Sequence, residues 1–238
     1  SVEELQEVVR VATGLGMAIV ARGGGASYTD GYLPTTPKSI TIDTSRLNKI
    51  VEINEEDMFV TVESGVTWAE MAAALAEKNL RTPFWGPFSG LKATIGGSSS
   101  QNSLSMGTSA YGGSPESILC YDIVLPSGEI LKTGSSSMEN SSAFFRHYGP
   151  DLTGLFSGDS GALGVKARIT LRLIKLPTHT LTSSFGFKDY ASMSEGMAAA
   201  AREQSASSNW GLDPKLQQGQ LGSAPLSDAI KAAFAVLK

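Results

Sequence analysis

The stretch Arg22-Gly23-Gly24-Gly25-Ala26-Ser27-Tyr28-Thr29-Asp30-Gly31 has the make-up of a ligand-binding turn. Consecutive glycines adopt backbone conformations closed to other residues and let the main chain come close to a bulky ligand. Successive N–H groups in such a turn can converge on an anion. The loop follows a short apolar run, Met17 to Ala21, that reads as a buried strand. A strand feeding this loop suits a phosphate cradle, although a flexible surface loop could have the same composition. Two further glycine-rich segments stand far along the chain. One is Ala93-Thr94-Ile95-Gly96-Gly97, continuing through Asn102 to Gly113; the other is Gly158 to Gly164. Singly, Gly96-Gly97 reads as a turn and Gly161–Gly164 as a helix end before a strand.

Other reactive residue types are sparse. The single cysteine, Cys120, excludes an intrachain disulfide and a cysteine-based zinc site. His147 and His179 lack ligand-spaced partners and read as surface residues. Glu55, Glu56 and Asp57 read as a solvated turn, not an acid–base pair. Trp68 and Trp85 read as core or rim residues, and Cys120 as a small hydrophobe within a strand. The net charge of −4 gives no basic stripe for nucleic acid. No apolar run is long enough to span a bilayer, and no signal peptide is visible. The chain opens at Ser1 inside an apparent helix, and the true N-terminus is expected to lie upstream.

Regular elements must position the three glycine segments. Ser1 and Glu4 have capping-box spacing, and Val2, Leu5, Val8, Val9 and Ala12 fall on one face of a helix ended by Gly14 and Gly16. A strand over Ser39–Asp43 is followed by a hairpin of Ile50–Ile53 and Met58–Glu63. Thr67 and Glu70 open a second amphipathic helix that ends near Asn79. Residues 81 to 116 are rich in Gly, Ser and Pro, and a span of about 35 such residues exceeds ordinary loop length, which favours function. Strands Ile118–Leu125 and Glu129–Thr133 follow, then a short helix over Leu152–Phe156. A long strand over Val165–Leu176 places Val165, Ala167, Ile169, Leu171 and Leu173 on one face, with Lys166, Arg168, Arg172 and Lys175 opposite or at its end. Beyond Pro177 come a strand (Thr182–Phe187), a helix (Tyr190–Glu203) and a last helix (Leu226–Leu237), too little chain for a core of its own.

Taken together with Asp122-Ile123-Val124-Leu125-Pro126-Ser127-Gly128-Glu129-Ile130-Leu131, the three segments resemble the FAD-binding domain of the vanillyl-alcohol oxidase/p-cresol methylhydroxylase (PCMH) type. Within that superfamily the chain is most similar to FAD-linked oxidases and dehydrogenases such as the glycolate oxidase flavoprotein subunit and D-lactate dehydrogenases. The resemblance covers residues 1 to about 177. It implies an α+β, two-subdomain PCMH-type FAD-binding fold followed by the start of a cap domain. The implied boundaries are 1–177 for the FAD-binding domain, with subdomains of about 1–49 and 50–177, and 178–238 for the incomplete cap.

The resemblance also implies cofactor-binding residues. Arg22, Gly23, Gly24, Gly25, Ala26, Ser27 and Gly31 match the first diphosphate loop, whose amides face the phosphates. Thr94, Gly96, Gly97 and Asn102 match a second cradle closed by Gly107, Tyr111 and Gly112. Gly161, Leu163, Gly164 and Val165 match the segment on the adenine side, and Pro87 and Gly90 a stretch lining the cofactor. Relatives with covalent FAD carry a histidine where this chain has Ala26, or a cysteine in the second loop, where Ala93–Gly113 has none. The FAD is therefore expected to be noncovalent. NAD fits worse, because the first glycine run lacks G-x-G-x-x-G spacing and the later acidic residue.

The implied activity is hydride transfer from a small 2-hydroxy acid to the flavin. An aromatic alcohol or phenol is the alternative substrate; a non-catalytic flavin-binding subunit of a multi-chain complex is the alternative role. No catalytic base is assigned, since in this family it comes largely from the cap; Arg81 and Thr82–Phe88 are expected to approach the flavin. A small-molecule substrate, a partner subunit or homo-oligomer, and a cytoplasmic location with or without peripheral membrane association complete the expectations.

Overall fold

The computed structural model describes residues 1–215. The chain divides into two units, Ser1–Thr180 and Leu181–Lys238. The predicted helix over Leu226–Leu237 lies outside the described residues.

The first unit opens with helix α1 (Val2–Gly14), started by the Ser1–Glu4 capping box. Strands β1 (Ala18–Arg22) and β2 (Ser39–Asp43) follow and pair in parallel, from Ala18 against Ser39 to Arg22 against Asp43. Parallel neighbours need a long crossover; here residues 23–38 make it without a helix, and the first glycine loop lies in it.

Strand β3 (Ile50–Asn54) makes a hairpin with β4 (Phe59–Glu63). Helix α2 (Trp68–Ala76) starts with the Thr67–Glu70 capping box, and β5 (Leu80–Arg81) follows. The Gly/Ser/Pro-rich span then proves partly regular, with short helices α3 (Ile95–Ser100) and α4 (Thr108–Tyr111) and a 3-10 turn at Ser114–Ser117. Strands β6 (Ile118–Val124) and β7 (Ile130–Lys132), helix α5 (Leu152–Leu155) and strands β8 (Val165–Arg172) and β9 (Ile174–Lys175) complete the unit.

Five strands form one antiparallel sheet in the order β3-β4-β8-β6-β7. The predicted strand over Val165–Leu176 breaks after Arg172. Ile174 and Lys175 leave the large sheet and pair with Arg81 and Leu80. Its apolar face is buried as read, and Arg168 and Arg172 are partly solvated, but Lys166 is only 4 % exposed. The pairing of β6 with β8 shifts register between Asp122 and Ile123, opposite this residue, and such irregularities re-aim side chains.

One core cluster packs α2 and α3 on the large sheet, through Trp68, Met71, Leu75 and Ile95 against Val60, Val62, Tyr121, Ile169 and Leu171. Phe84 meets the edge of Trp68 at 5.1 Å between ring centres, an arrangement that adds about 0.5–1.5 kcal/mol to area burial. A second cluster sets Val2, Leu5 and Val9 of α1 against Val124, Val165 and Ala167, with Ile19 and Ile42 of the small parallel sheet beside them. Helix α1 thus ties the parallel pair to one end of the large sheet.

In the second unit, α6 (Tyr190–Arg202) is capped by Asp189, whose carboxylate accepts the Ser192 N–H at 2.8 Å. The predicted strand at Thr182–Phe187 is irregular backbone, because no strand among the described residues pairs with it and local propensity alone does not make a strand.

Candidate functional site

The carboxyl ends of β1 and β2 and the N-terminal turn of α3 enclose a cavity of about 390 Å3. This lies within the size range of small-molecule sites. Its position beyond the carboxyl ends of parallel strands is where α/β sheets usually bind ligands. Of the sequence-predicted residues, Arg22 through Ser27, Gly31, Pro87, Thr94, Gly96, Gly97, Gly161, Gly164 and Val165 line it. All three glycine segments therefore meet in one place.

Contacts to α3 bring them there. A Cβ on Gly24 would lie 1.7 Å from the Lys92 carbonyl oxygen, so only glycine permits this approach. A Cβ on Gly96 would lie 2.7 Å from Cβ of Ser64, so α3 rests directly on the end of β4. The Thr29 hydroxyl donates to Gln101 at 3.2 Å. Gly158 and Ser160 donate their N–H groups to the carbonyls of Ser99 and Ser100, each at 2.8 Å.

The second cradle closes on itself. Gly96 N–H donates to the Ser64 carbonyl at 2.9 Å and Gly97 N–H to Thr94 Oγ1 at 3.1 Å. In the third segment, Gly161 N–H donates to the Asp159 carboxylate at 2.9 Å, and Leu163 N–H reaches it at 3.4 Å. Of the three glycine segments, only the first leaves a run of amides, Gly23 to Ser27, without a protein acceptor among the described residues.

Other predicted residues stand off the cavity lining. Gly90 accepts the Ala69 N–H at the start of α2. Asn102, at φ +51°, lies beneath Gly158. Gly107 rests on the Trp85 ring, and Gly112 lies against Glu116. Tyr111 faces the Arg81 guanidinium at 5.9 Å, which also lies 4.1 Å from the Trp85 ring centre. Leu163 is 45 % exposed. Trp68 is buried, with its indole N–H donating to Ser98 Oγ at 2.7 Å. His147 and His179 are exposed, and Cys120 is buried. No cluster of three metal-ligating residues occurs among the described residues.

The cavity also contains residues that sequence reasoning missed. Ser64 is 2 % exposed, and its hydroxyl has no hydrogen-bond partner. Lys166 donates to Asp159 Oδ1 at 2.6 Å, with both side chains 3 % exposed. Burial pushes the Lys166 ammonium below the usual lysine range, against the opposing pull of Asp159. Arg22 and Lys166 are the charged residues of the lining, and no carboxylate joins them. A basic residue in a polar strand face signals solvent, so only the register shift could have revealed Lys166. Ser64 carried no sequence signal.

A second concavity, of about 580 Å3, lies on the opposite face of the large sheet. It contains the cross-strand pair of Arg168 and Asp122 at 3.8 Å, and it holds none of the glycine segments.

A family described as FAD binding domain matches residues 1–134. That is more than half of the 238 residues, and the chain belongs to this family, with FAD as its cofactor. It is 31 % identical over 187 residues to the mitochondrial D-lactate dehydrogenase [cytochrome] of Arabidopsis thaliana, covering 79 % of this chain and 31 % of that protein. It is 29 % identical to glycolate oxidase subunit GlcD of Bacillus subtilis, covering 74 % of this chain and 36 % of the relative. It is 32 % identical to a D-2-hydroxyglutarate dehydrogenase of Xanthomonas citri pv. viticola, with coverages of 74 % and 36 %. The chain thus spans about a third of the length of these relatives. Among solved structures, alkyldihydroxyacetonephosphate synthase superposes with a TM-score of 0.64 at 20 % identity, over 74 % of this chain and 33 % of that one. This likeness defines the α+β, PCMH-type FAD-binding fold. No described helix is long and apolar enough to cross a membrane.

The residues fit the cofactor. Side-chain-free main chain forms one wall, unengaged amides line the first loop, a buried hydroxyl lacks a partner, and the charged lining is cationic.

Proposed function

We propose that this chain is the FAD-binding part of an FAD-linked dehydrogenase or oxidase of small 2-hydroxy acids. The observation that carries this reading is the convergence of three separate glycine segments on one cavity with no carboxylate in its lining, in a chain of the FAD binding family. The relatives' names, lactate, glycolate and 2-hydroxyglutarate, support the substrate class. None of them supports an aromatic alcohol or phenol.

The amides of Gly23 to Ser27 donate to the phosphate oxygens, where preorganised N–H groups hold negative charge without rearrangement. Arg22 adds charge at the loop's start. Gly96 and Gly97, with amides already engaged, and Thr94 shape the opposite wall. Gly161, Gly164 and Val165 border the far side. When bound, FAD supplies the two-electron acceptor; the protein supplies orientation and electrostatics. Substrate-binding groups and the base come from the remainder of the protein. A partner subunit is part of this proposal, since one relative is named as a subunit.

With Ala26 where a tethering histidine would stand, the flavin is held noncovalently. The test is a flavin spectrum of the purified full-length protein, anaerobic bleaching by lactate, glycolate and 2-hydroxyglutarate, and acid precipitation. The expected result is bleaching by at least one hydroxy acid, with all yellow colour in the acid supernatant. Bleaching by benzylic alcohols alone, or colour in the pellet, would contradict the respective parts.

A further inference from the structure

Lys166 is an unusual occupant of a cavity wall. It is 4 % exposed, yet among the described residues its ammonium donates to Asp159 alone. An ammonium carries three donors. The Tyr121 ring centre lies 5.5 Å from the ammonium, and Lys166 lines the cavity. Asp159 accepts three donors: Oδ1 from Lys166 and Gly161, and Oδ2 from Leu163. It therefore fixes both the ammonium and the loop over Gly158–Gly164. On the same side of the cavity the Ser64 hydroxyl is buried without a partner. Buried polar groups left unsatisfied are costly; the Ser64 hydroxyl is one, and the Lys166 ammonium beside it has donors beyond its one bond, so the cavity they line suits a polar occupant. A buried cation with donors to spare selects a ligand that is anionic and rich in oxygen acceptors.

We propose that Lys166 is a phosphate anchor of this cavity: held by Asp159, it donates its remaining N–H groups to the diphosphate of the bound dinucleotide, opposite the amides of Gly23 to Ser27, with the Ser64 hydroxyl as a further donor. The inference rests on the reading of this cavity as the FAD site. The amides of Gly96, Gly97, Gly158, Ser160 and Gly161 are engaged within the protein, so on that side the Lys166 side chain supplies donors. Asp159 is a positioning residue, acting through Lys166 and through the loop.

The test uses the full-length apoprotein, with FAD affinity read from flavin fluorescence quenching and ADP and adenosine compared by calorimetry. ADP against adenosine isolates the phosphates. Lys166→Met should weaken FAD and ADP at least tenfold and leave adenosine within twofold. Because that variant strands a buried carboxylate, the neutral pair Lys166→Met with Asp159→Asn is measured alongside. The neutral pair should recover the wild-type melting temperature but not the affinity for FAD or ADP. Recovery of both would show that the ion pair only shapes the loop and would overturn the anchor. Equal losses for adenosine and ADP would overturn it too. A wild-type protein that takes up no FAD would instead overturn the reading of the cavity itself.

Discussion

Gly24 packs so closely on the main chain of Lys92 that a methyl group there would sit 1.7 Å from the Lys92 carbonyl oxygen. The first glycine loop and the approach to α3 are held in contact with no side chain between them. Gly24→Ala must push the two apart. We expect full loss of bound flavin in the purified protein, with a fall in melting temperature far smaller than a core truncation would cause, because the strain lies in a loop at the cavity rim. Flavin content by absorbance and a thermal melt check this. Wild-type flavin content in the alanine variant would refute the close approach.

The Trp68 indole and Ser98 hydroxyl form a buried pair at 2.7 Å. Removing one member leaves the other unsatisfied, a cost of about 1–3 kcal/mol. Ser98→Ala should therefore destabilise the protein by that amount in urea unfolding. Adding Trp68→Phe should cost less than the sum of the single changes, since the second change removes the stranded donor. Additive losses would place the bond outside the stable core.

Burial pushes the Tyr121 phenol up to about 12, against the relieving hydrogen bond with Ser157. The unfolded phenol titrates near 10. Between these values the folded state holds a proton that the unfolded state has lost, so stability falls as pH rises above about 10. Tyr121→Phe should flatten that alkaline limb. Absorbance of tyrosinate against pH, beside melting temperatures from pH 8 to 11, reads both effects.

Asp151 caps α5 by accepting the Gly154 N–H at 2.8 Å and pairs with Arg146 at 2.9 Å. The Arg146 hydrogen bond is the main cause holding its carboxyl below the usual range. A depressed carboxyl contributes stability that is present above its unfolded pKa and lost as pH falls through the folded one. Asp151→Asn keeps a capping oxygen but loses the charge paired with Arg146, so it should cost up to about 1 kcal/mol at pH 7, and the difference from wild type should shrink toward pH 3. A constant difference across that range would mean that charge plays no part.

Patterning carried most of the framework. Both capping boxes, at Ser1 and Thr67, form as their spacing predicts, because the bonds are local. The apolar alternation of β8 and the three glycine segments were legible for the same reason. What stayed hidden depends on partners distant in sequence. The burial of Lys166 follows a register shift against β6. The departure of Ile174 and Lys175 follows from an available edge at Leu80–Arg81. The amides of Gly96 and Gly97 turned out to be engaged within the protein, a fact no glycine pattern distinguishes from free donors. Ser64 is ordinary in sequence and notable only because α3 seals it in.

The walls of the cavity come from chain segments that meet late. Thr29 reaches Gln101 across 72 positions, and Gln101 reaches Ser160 across 59. Closing such long spans carries an entropic toll and slows assembly. Until the third segment docks on the end of α3, a nascent or half-collapsed chain offers the dinucleotide an open trough with no far side. Quenching of flavin emission during refolding would then report when that far side closes.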